Sequence, residues 1–397
     1  MTAKQKLPLS GIKVIEFTHM VMGPTVGVML GDLGADVIKI EPTKGDNTRR
    51  LVGAGAGYFA MYNRNKRSIC LDMKSDEGKD IARSLIKDAD VVIENFRPGA
   101  MDKLGFGYDD LSALNDRLIY CSEKGFLAGP YEERTALDEV AQMMGGLAYM
   151  TGPPGRPLRA GSSVIDVAGG MFGVIGILAA IEERHRTGKG QYVKSSLYET
   201  TAYLVGQHMA QYAVTGTPAQ PMPARISSWA IYDVFDTADD DHVFVGVVSD
   251  TQWVVFCEAF GLHDLADNPE YATNPERVKR RDTLMPKVRE LFGKFTKPEL
   301  MAKLEKTGLP FAPIAKPQDL IDDPHLNAAG GMLEVTLDNG TRAKLPAMPL
   351  EMNGERLGLR EDLPGIGEHT AEVLKSLGYS DFDVEKLGAT GTIRCGK

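Results

Sequence analysis

The feature that most constrains this chain is the alternation of short β-branched runs with helical patterns through its N-terminal half. Helical patterns at residues 24–34 and 77–87 separate several of these runs. Strands that alternate with helices are typical of a parallel, doubly wound sheet with helices on both faces, so we predict an α/β fold. The runs that predict strands are residues 12–17 (IKVIEF), 36–41 (DVIKIE), 68–72 (SICLD), 90–94 (DVVIE), 117–122 (RLIYCS) and 191–195 (QYVKS).

Longer helical patterns follow the alternating half. The most apolar stretch, residues 168–181 (AGGMFGVIGILAAI), is too short to span a bilayer and predicts a buried helix. Residues 215–225 are rich in proline, glycine and alanine, which is typical of a domain boundary. The predicted helices of this region are residues 136–150, 166–186 and 197–214.

The pattern beyond this boundary predicts a smaller α/β domain. It contains a strand pattern at 242–248 and helical patterns at 277–295 and 298–307. A hairpin around Asn339-Gly340 and a helix at 368–377 follow. We therefore predict an N-terminal part of a large domain at residues 1–215, a small domain at 226–330 and a C-terminal part at 331–397.

Composition excludes several classes of protein. A net charge of −9 over 397 residues disfavours nucleic acid or an anionic membrane as the main partner, although a local basic pocket can still bind a small polyanion. The four cysteines are scattered singly and no Cys/His cluster has zinc spacing, so we expect neither disulfides nor a metal site. The N-terminus has no secretory signal pattern, and we expect a cytoplasmic protein.

Candidate binding residues follow the predicted strand ends, where open α/β sheets bind ligands. His19 follows the first strand, and Asn95, Phe96 and Arg97 follow the fourth, with Lys103 beyond them. A second basic-polar group, residues 63–67, stands just before the third predicted strand, and several basic residues at such loops in an acidic protein indicate a phosphorylated ligand. The segment GAGAG at 53–57 lacks the strand and helix that a dinucleotide fingerprint requires; we interpret it as a flexible loop, or alternatively as a mobile lid.

Asp166 stands where the long apolar helix is predicted to begin, and the residues leave two interpretations open. Aspartate is a preferred N-cap residue, and spacing alone favours that structural role. A helix N-terminus also keeps a carboxylate ionised and supplies N–H donors, while Gly169 and Gly170 leave room for a bulky ligand. On this second interpretation Asp166 is a nucleophile.

A series of short motifs runs along nearly the whole chain. The motifs are residues 11–17 (GIKVIEF), 23–24 (GP), 30–41 (LGDLGADVIKIE), 65–68 (NKRS) with 71–72 (LD), 94–99 (ENFRPG), 188–191 (GKGQ), and 367–370 (GEHT) with 373–374 (VL). In this order and spacing they resemble the class III CoA-transferases, the CaiB/BaiF family, with N-terminal segments similar to those of formyl-CoA transferases. The series is specific for the family and much less so for a substrate.

The resemblance implies a Rossmann-like large domain built from both chain ends, an inserted smaller α/β domain and an interlocked homodimer. It also makes Asp166 the nucleophile, which reverses the preference for capping. The implied reaction passes coenzyme A from an acyl-CoA to a free carboxylic acid through aspartyl anhydrides and an aspartyl-CoA thioester. No metal or covalently bound cofactor is implied, because coenzyme A is itself a substrate.

The resemblance also assigns binding residues by position. Asp138 is implied to face the substrate, and we expect the same of His19 from its position after the first strand. The implied coenzyme A contacts are Met20, Val21, Leu71, Lys74, Asn95, Phe96, Arg97 and Lys103.

Three departures from related enzymes bear on the substrate. Formyl-CoA:oxalate transferases carry a glutamine where Val21 stands and a glycine-rich loop that residues 218–228 do not offer, which argues against oxalate. Related racemases carry a histidine where Leu137 stands, so racemisation or epimerisation is the weaker alternative. A third alternative is a non-catalytic protein that binds coenzyme A. The sequence does not specify the donor or the acceptor acid, which we expect to be small and either mono- or dicarboxylic, with Arg159 and Arg225 as candidates for binding a second carboxylate.

Overall fold

A computed structural model describes residues 7–225 and 227–396. The chain forms two compact units. Unit 1 comprises Met1–Pro223 and Asp323–Lys397, and unit 2 comprises Ala224–Asp322.

The strands are numbered along the chain. They are β1 (Lys13–Phe17), β2 (Asp36–Glu41), β3 (Lys66–Leu71), β4 (Val91–Glu94), β5 (Ile119–Lys124), β6 (Tyr192–Ser196), β7 (Ile231–Asp236), β8 (His242–Val247), β9 (Phe311–Pro313), β10 (Met332–Thr336), β11 (Arg342–Pro346), β12 (Glu351–Met352), β13 (Glu355–Arg356) and β14 (Ile393–Arg394).

The helices are numbered in the same way. They are α1 (Met22–Asp32), α2 (Tyr58–Tyr62), α3 (Asp76–Lys87), α4 (Ala100–Leu104), α5 (Tyr108–Leu114), α6 (Asp138–Met144), α7 (Leu147–Thr151), α8 (Val164–Thr187), α9 (Leu197–Thr215), α10 (Asp250–Phe260), α11 (His263–Ala266), α12 (Asn274–Lys279), α13 (Arg281–Phe292), α14 (Lys297–Leu304), α15 (Pro324–Ala328), α16 (Thr370–Ser376) and α17 (Asp381–Ala389).

Unit 1 is built on a seven-stranded sheet in the order β14-β3-β2-β1-β4-β5-β6. The six strands from β3 to β6 are parallel, and β14 adds an antiparallel edge. The predicted parallel α/β sheet is therefore confirmed. The strand order reverses between β1 and β4, so the loops that follow these strands diverge and open a crevice at the carboxyl edge.

Side-chain alternation on the strands produces a core on each face of this sheet. On β1, Ile15 joins a cluster with Ile81 of α3 and Leu374 of α16. Its neighbour Val14 joins the opposite cluster, in which Val26 of α1 and Ile177 of α8 cover the sheet. The two faces thus hold α1 and α8 on one side and α3 and α16 on the other.

A buried ion cluster, formed by Glu16, Lys39, Asp46 and Lys66, lies within this fold. Glu16 pairs with Lys39 at 3.2 Å and with Lys66 at 2.8 Å, and Lys39 also pairs with Asp46 at 3.3 Å. All four side chains are almost completely buried. A Cβ at Gly27 of α1 would overlap Glu16 and lie 2.9 Å from Lys66 Nζ, so the bare backbone of α1 leaves space for the ions.

Two predicted helices are interrupted. The predicted helix at 136–150 is divided into α6 and α7 at Gly145 and Gly146, and Gly146 has a left-handed φ of 85°. The predicted helix at 277–295 is divided into α12 and α13 at Arg280. Helical periodicity continues across both breaks, which is why the sequence pattern did not reveal them.

The prediction that the long apolar helix is buried is only half right. α8 is long and apolar enough to cross a membrane by length and composition. One face packs on the sheet through Gly173 and Ile177, but Met171, Ile175 and Leu178 are exposed. Tyr203 of α9 is also exposed and its ring meets Phe172 of α8 edge-on. We call Met171, Ile175, Leu178 and Tyr203 the apolar face.

Unit 2 has its own antiparallel sheet and core. The sheet has the order β7-β8-β9, and α10, α13 and α14 contribute to the core. Trp253, Phe256 and Phe292 are almost completely buried there. Sequence patterns anticipated β8 and α14, but β7, β9 and α10 were not predicted.

Candidate active site

A cavity of about 320 Å³ lies in unit 1 where β1, β4 and β5 end. Its wall is completed by the segment leading into α6 and by the start of α8. Several residues that were predicted to act on a ligand line this cavity. They are His19, Met20, Asn95, Phe96, Arg97, Asp138 and Asp166.

Asp166 is not the N-cap of α8, so the capping prediction is wrong. The N-cap is Ser163, and Asp166 lies in the first helical turn. Asp138 from α6 caps the helix instead: its Oδ2 accepts hydrogen bonds from the N–H groups of Ile165 at 2.9 Å and Asp166 at 3.3 Å. No hydrogen bond to the Asp166 carboxyl is formed by the residues that the structure describes. This carboxyl is therefore available to a ligand in the cavity.

The surroundings of Asp166 do not keep it ionised as the helix-dipole argument predicts. Burial and the negative charge of Asp138 raise the pKa of Asp166 to about 7, although Arg159 opposes them. The ionised form is stabilised unequally in these two neighbouring carboxyl groups, because only Asp138 accepts several hydrogen bonds. Asp166 is thus close to half ionised at neutral pH.

Asp138 is the hub of a polar network that fixes the start of α8. Its Oδ1 accepts a hydrogen bond from Gln142 at 2.6 Å and lies 3.2 Å from the guanidinium of Arg159. Arg159 also pairs with Glu139 at 2.7 Å. A cation is therefore held beside the two acids, at the cavity wall, where a substrate carboxylate can reach it.

His19 and Phe96 form a stacked pair at the other side of the cavity. Their ring centroids are 5.4 Å apart with an interplanar angle of 22°. The Asn95 amide holds His19 by accepting from its backbone N–H and donating to its carbonyl oxygen. Burial lowers the pKa of His19, which favours the neutral ring. The next residue, Met20, has a positive φ of 64°, an uncommon conformation that is typical of functional loops.

The exposed cations Arg97 and Arg134 also line the cavity. Neither forms an ion pair with the described part of the chain, whereas Lys124 beside them is paired with Glu94 at 2.8 Å. Arg134 lies over the ring of Tyr131. Unpaired guanidinium groups at a cavity mouth can bind phosphate oxygens.

Four residues that the resemblance assigned to coenzyme A do not line this cavity. Val21 and Leu71 are almost completely buried, and Leu71 belongs to the core beneath β3. Lys74 and Lys103 are exposed, in the loop after β3 and on α4 respectively. Their assignment stays a prediction.

Sequence reasoning missed Glu123, Tyr58 and Arg134, which all line the cavity. Glu123 extends β5 beyond the predicted strand, and it follows the buried Ile119 and Cys121 on the same face of that strand. An acid in an apolar alternation was the signal that could have identified it. The predicted loop at 53–57 forms a 3₁₀ helix that leads into α2, which carries Tyr58.

Residues 7–225 and 227–396 contain no group of three His, Cys, Asp or Glu side chains arranged to hold a metal ion. The polar groups of the cavity are carboxyls, guanidinium groups, hydroxyls, one ammonium group, one imidazole and one side-chain amide. They suit acyl chemistry on a charged organic ligand, because they offer a carboxyl that is free of hydrogen bonds from the described residues together with cations for anionic groups.

Several known proteins are similar to this chain in sequence, and solved structures are similar to it in fold. The succinate–glutarate CoA-transferase of Agrobacterium fabrum is 34% identical, over 94% of this chain and 96% of its own length. The formyl-CoA:oxalate CoA-transferase of Rhodopseudomonas palustris is 33% identical, over 96% of each chain. The crystal structure of a CAIB/BAIF family protein from Brucella suis superposes with a TM-score of 0.83 at 35% identity, covering 94% of this chain and all of that one.

The match extends to the family as a whole, since residues 9–370 fit the sequence profile of CoA-transferase family III. A match over nearly the full chain, combined with relatives named as CoA-transferases, establishes the class of enzyme. This chain belongs to CoA-transferase family III and is a CoA-transferase.

Proposed function

We propose that this enzyme moves coenzyme A from an acyl-CoA thioester to a free carboxylic acid, with Asp166 as the nucleophile. The observation that carries the proposal is the position of Asp166, a half-buried carboxyl in the wall of the strand-end cavity with no hydrogen bond from the described residues. Its pKa of about 7 makes the ionised form more basic than an ordinary aspartate, and basicity raises nucleophilicity.

The transfer is an exchange of acyl bonds in four steps. Asp166 attacks the thioester carbonyl, coenzyme A leaves as thiolate, and a mixed anhydride forms. The thiolate attacks the aspartyl carbonyl of that anhydride and releases the donor acid. The acceptor carboxylate attacks the aspartyl thioester and frees the thiolate again. The thiolate then attacks the acceptor's carbonyl, which yields the new acyl-CoA and regenerates the Asp166 carboxylate.

Asp138 positions Asp166 in this mechanism. It holds the first turn of α8 through two backbone N–H groups and anchors Arg159 beside the reacting carboxyl. Its charge also raises the basicity of Asp166. The geometry supports the role that the resemblance implies for Asp166. For Asp138 it supports a positioning role, which differs from the substrate contact that the resemblance implies.

Coenzyme A would lie across the strand ends. The flat His19–Phe96 pair offers a stacking surface for adenine, and Arg97 and Arg134 offer unpaired charge for phosphates. Met20 lines the cavity and is a further candidate contact. For Val21, Leu71, Lys74 and Lys103 the resemblance is the only support.

For the acids we propose small dicarboxylates of four or five carbons. The relative from Agrobacterium fabrum is named for succinate and glutarate. Arg159, held 3.2 Å from Asp138, supplies a cation beside the reacting carboxyl, where it can meet the carboxylate of the incoming acid. The formyl-CoA:oxalate relative is almost equally similar, but Val21 replaces the glutamine expected for oxalate.

The test is a coenzyme A exchange screen. The enzyme is mixed with formyl-, acetyl-, succinyl- and glutaryl-CoA and a pool of free acids, and new thioesters are identified by mass spectrometry. We expect new thioesters from the wild type and none from Asp166→Ala, with coenzyme A binding by that variant changed no more than a few-fold. Equal turnover by both proteins would overturn the covalent mechanism. Deuterium exchange at the acyl α-carbon without transfer would instead support the racemase alternative.

We also propose that the enzyme acts as a homodimer. The apolar face of α8 and α9 supports this, because Ile175 is 58% exposed and Tyr203 is 73% exposed. Light scattering should give twice the chain mass of 43.2 kDa. Ile175→Glu should shift the mass toward the monomer, whereas Val254→Glu, at an exposed site in unit 2, should not. A monomeric wild type would contradict the proposal.

A further inference from the structure

Glu123 is an acid at a position of β5 where the alternation of side chains predicts an apolar residue. Ile119 and Cys121 precede it on the same face of β5 and belong to the core shared with α1 and α8. Glu123 is only 2% exposed, yet it also lines the cavity that holds Asp166. The transfer mechanism above assigns it no part.

The Glu123 carboxyl is almost without partners. Its Oε1 accepts a hydrogen bond from the Cys121 thiol at 3.2 Å, a weak donor. Its Oε2 is buried and has no hydrogen-bond partner among the described residues. A buried polar atom that is left unpaired is unfavourable, so an unpaired one on a cavity wall indicates a ligand group that pairs with it.

The helix opposite is shaped to accommodate this acid. A Cβ added to Gly173 of α8 would overlap Glu123 Oε1 and lie 3.0 Å from its Cδ. Any side chain larger than hydrogen at that position would displace the carboxyl. The absence of a side chain at Gly173 therefore leaves the space that the Glu123 carboxyl occupies.

The distance from Asp166 suits a short acyl chain. Gly173 follows Asp166 by seven residues, which places it about 10 Å further along the helix axis. Between them, Met22 of α1 lies against Gly169, and its unbranched side chain can move to admit a ligand. A five-carbon diacid bonded to Asp166 at one end and hydrogen-bonded at the other, at about 2.7 Å, spans a similar length.

We propose that Glu123 selects the acyl group: it donates a hydrogen bond to a carboxylate at the far end of the chain bound to Asp166. This inference rests on the proposed function and extends it by naming the residue that distinguishes a diacid from a hydrocarbon acid. Without that terminal oxygen, the Glu123 carboxyl stays unpaired beside a methyl group, and the thioester binds less well.

The protonation state fits a donor. Burial raises the pKa of Glu123 to about 8, with Glu94 adding to the shift and Cys121 and Lys124 opposing it. Lys124 is itself engaged by Glu94, at 2.8 Å. Helices α1 and α8 present Val26 and Gly173 at this point, which carry no titratable group. Glu123 is therefore mainly a neutral acid at pH 7, and it becomes a repelling anion as the pH rises past about 8.

The experiment compares glutaryl-CoA with valeryl-CoA, which share the five-carbon chain but differ in the terminal carboxylate. For the wild type we expect kcat/KM to favour glutaryl-CoA by at least tenfold at pH 7 and less at pH 9. Glu123→Leu should reduce the preference at least tenfold. Glu123→Gln, which keeps shape and an N–H donor, should retain it within about threefold at both pH values. Equal ratios in the wild type and Glu123→Leu would overturn the inference.

Binding separates this inference from the transfer mechanism. In an Asp166→Asn background, calorimetry gives the affinity ratio of the two thioesters with and without Glu123→Leu. A ratio that collapses in the double variant supports Glu123 as the selector even if the wild type shows no transfer. If the wild type transfers coenzyme A but Glu123→Leu leaves the affinity ratio of the two thioesters unchanged, the selecting role of Glu123 is refuted. The transfer mechanism is then unaffected. Glu123→Leu replaces a buried acid with hydrocarbon, so the variant should fold.

Discussion

Two groups of buried acids in unit 1 differ in how their charge is compensated. In the buried ion cluster, Glu16 and Asp46 each lie within 3.3 Å of a lysine ammonium. At the cavity, Asp138 has Arg159 at 3.2 Å, but Asp166 and Glu123 form no ion pair with the described residues. Breaking a buried ion pair leaves an uncompensated charge, so the cluster constrains the fold, whereas perturbed acids without a counter-ion in a cavity are candidates for ligand binding or catalysis.

The pKa values follow this division. Burial opposes ionisation of Asp46, but Lys39 and hydrogen bonds from Thr48 outweigh it and lower the pKa of Asp46. Burial without a counter-ion instead raises the pKa of Asp166 to about 7 and that of Glu123 to about 8. The difference between the two regions is therefore a difference in partners, since both are buried.

The largest effect expected is on turnover by Asp166→Asn. The variant keeps the shape of the side chain but removes the nucleophile, so coenzyme A exchange should fall by at least about 10⁴-fold. The measurement is initial rate with a fixed acyl-CoA and acid. Asp36→Asn, at a partly exposed ion pair with Arg67, is the matched control and should leave the rate unchanged. A loss of less than tenfold in Asp166→Asn would show that Asp166 is not the nucleophile.

The same variant should stabilise the protein at alkaline pH. Because the pKa of Asp166 is raised on folding, its contribution favours the folded state at low pH and is lost as the pH rises through about 7. Urea unfolding at pH 8.5 should therefore give a higher free energy of unfolding for Asp166→Asn than for the wild type, and the difference should vanish near pH 4. A lower free energy of unfolding for Asp166→Asn than for the wild type at pH 8.5 would contradict the inference that the charge of Asp166 is not compensated.

Lys66→Met should have the largest effect on stability in the ion cluster. It leaves Glu16 with a single lysine in a fully buried setting, and breaking a buried pair costs about 3–5 kcal/mol. Urea unfolding measures the loss. Adding Glu16→Gln restores the balance of charge and should recover part of it. A neutral Lys66→Met variant would show that the cluster does not stabilise the fold.

The sequence was sufficient for the sheet because its signals are local. The six parallel strands alternate with helices, and β2 was predicted with its observed bounds. The edge strand β14 was not predicted: it has two residues and pairs with β3 more than 300 positions earlier, and local periodicity carries no record of such pairing. The break at Gly145 and Gly146 was missed for a similar reason, since the apolar periodicity continues across it.

The site was predicted in part. Strand-end position identified His19, Asn95 and Arg97, but the motif resemblance was needed to favour catalysis at Asp166. The hydrogen bonds from the start of α8 to Asp138 join residues 27 and 28 positions apart, and only tertiary structure shows that Asp138 is the cap. Glu123 was missed because a strand was predicted to end just before it.

The rate should depend on pH through Asp166. Below pH 7 the nucleophile is increasingly protonated, so kcat/KM should fall about tenfold per pH unit from roughly pH 6.5 down to pH 5. Asp138→Asn removes the nearby negative charge and should move the midpoint to lower pH, although a weaker cap lowers the rate as well. Rates measured in buffers of constant ionic strength test both points. An unchanged midpoint in Asp138→Asn would mean that Asp138 does not set the basicity of Asp166.

The smallest effect concerns the cations, and it separates cavity geometry from motif resemblance. Arg97 lines the cavity without an ion pair among the described residues, whereas Lys103 lies outside it on α4. If unpaired charge at the cavity binds the phosphates, Arg97→Met should raise KM for the acyl-CoA about tenfold, less so at high salt, and Lys103→Met should stay within about twofold. Arg49→Met is no suitable control, because Arg49 is paired with Glu41 at 2.7 Å and its loss would disturb the fold. A larger KM for Lys103→Met than for Arg97→Met would place the phosphates on α4, away from the cavity, and would show that motif order located them better than unpaired charge did.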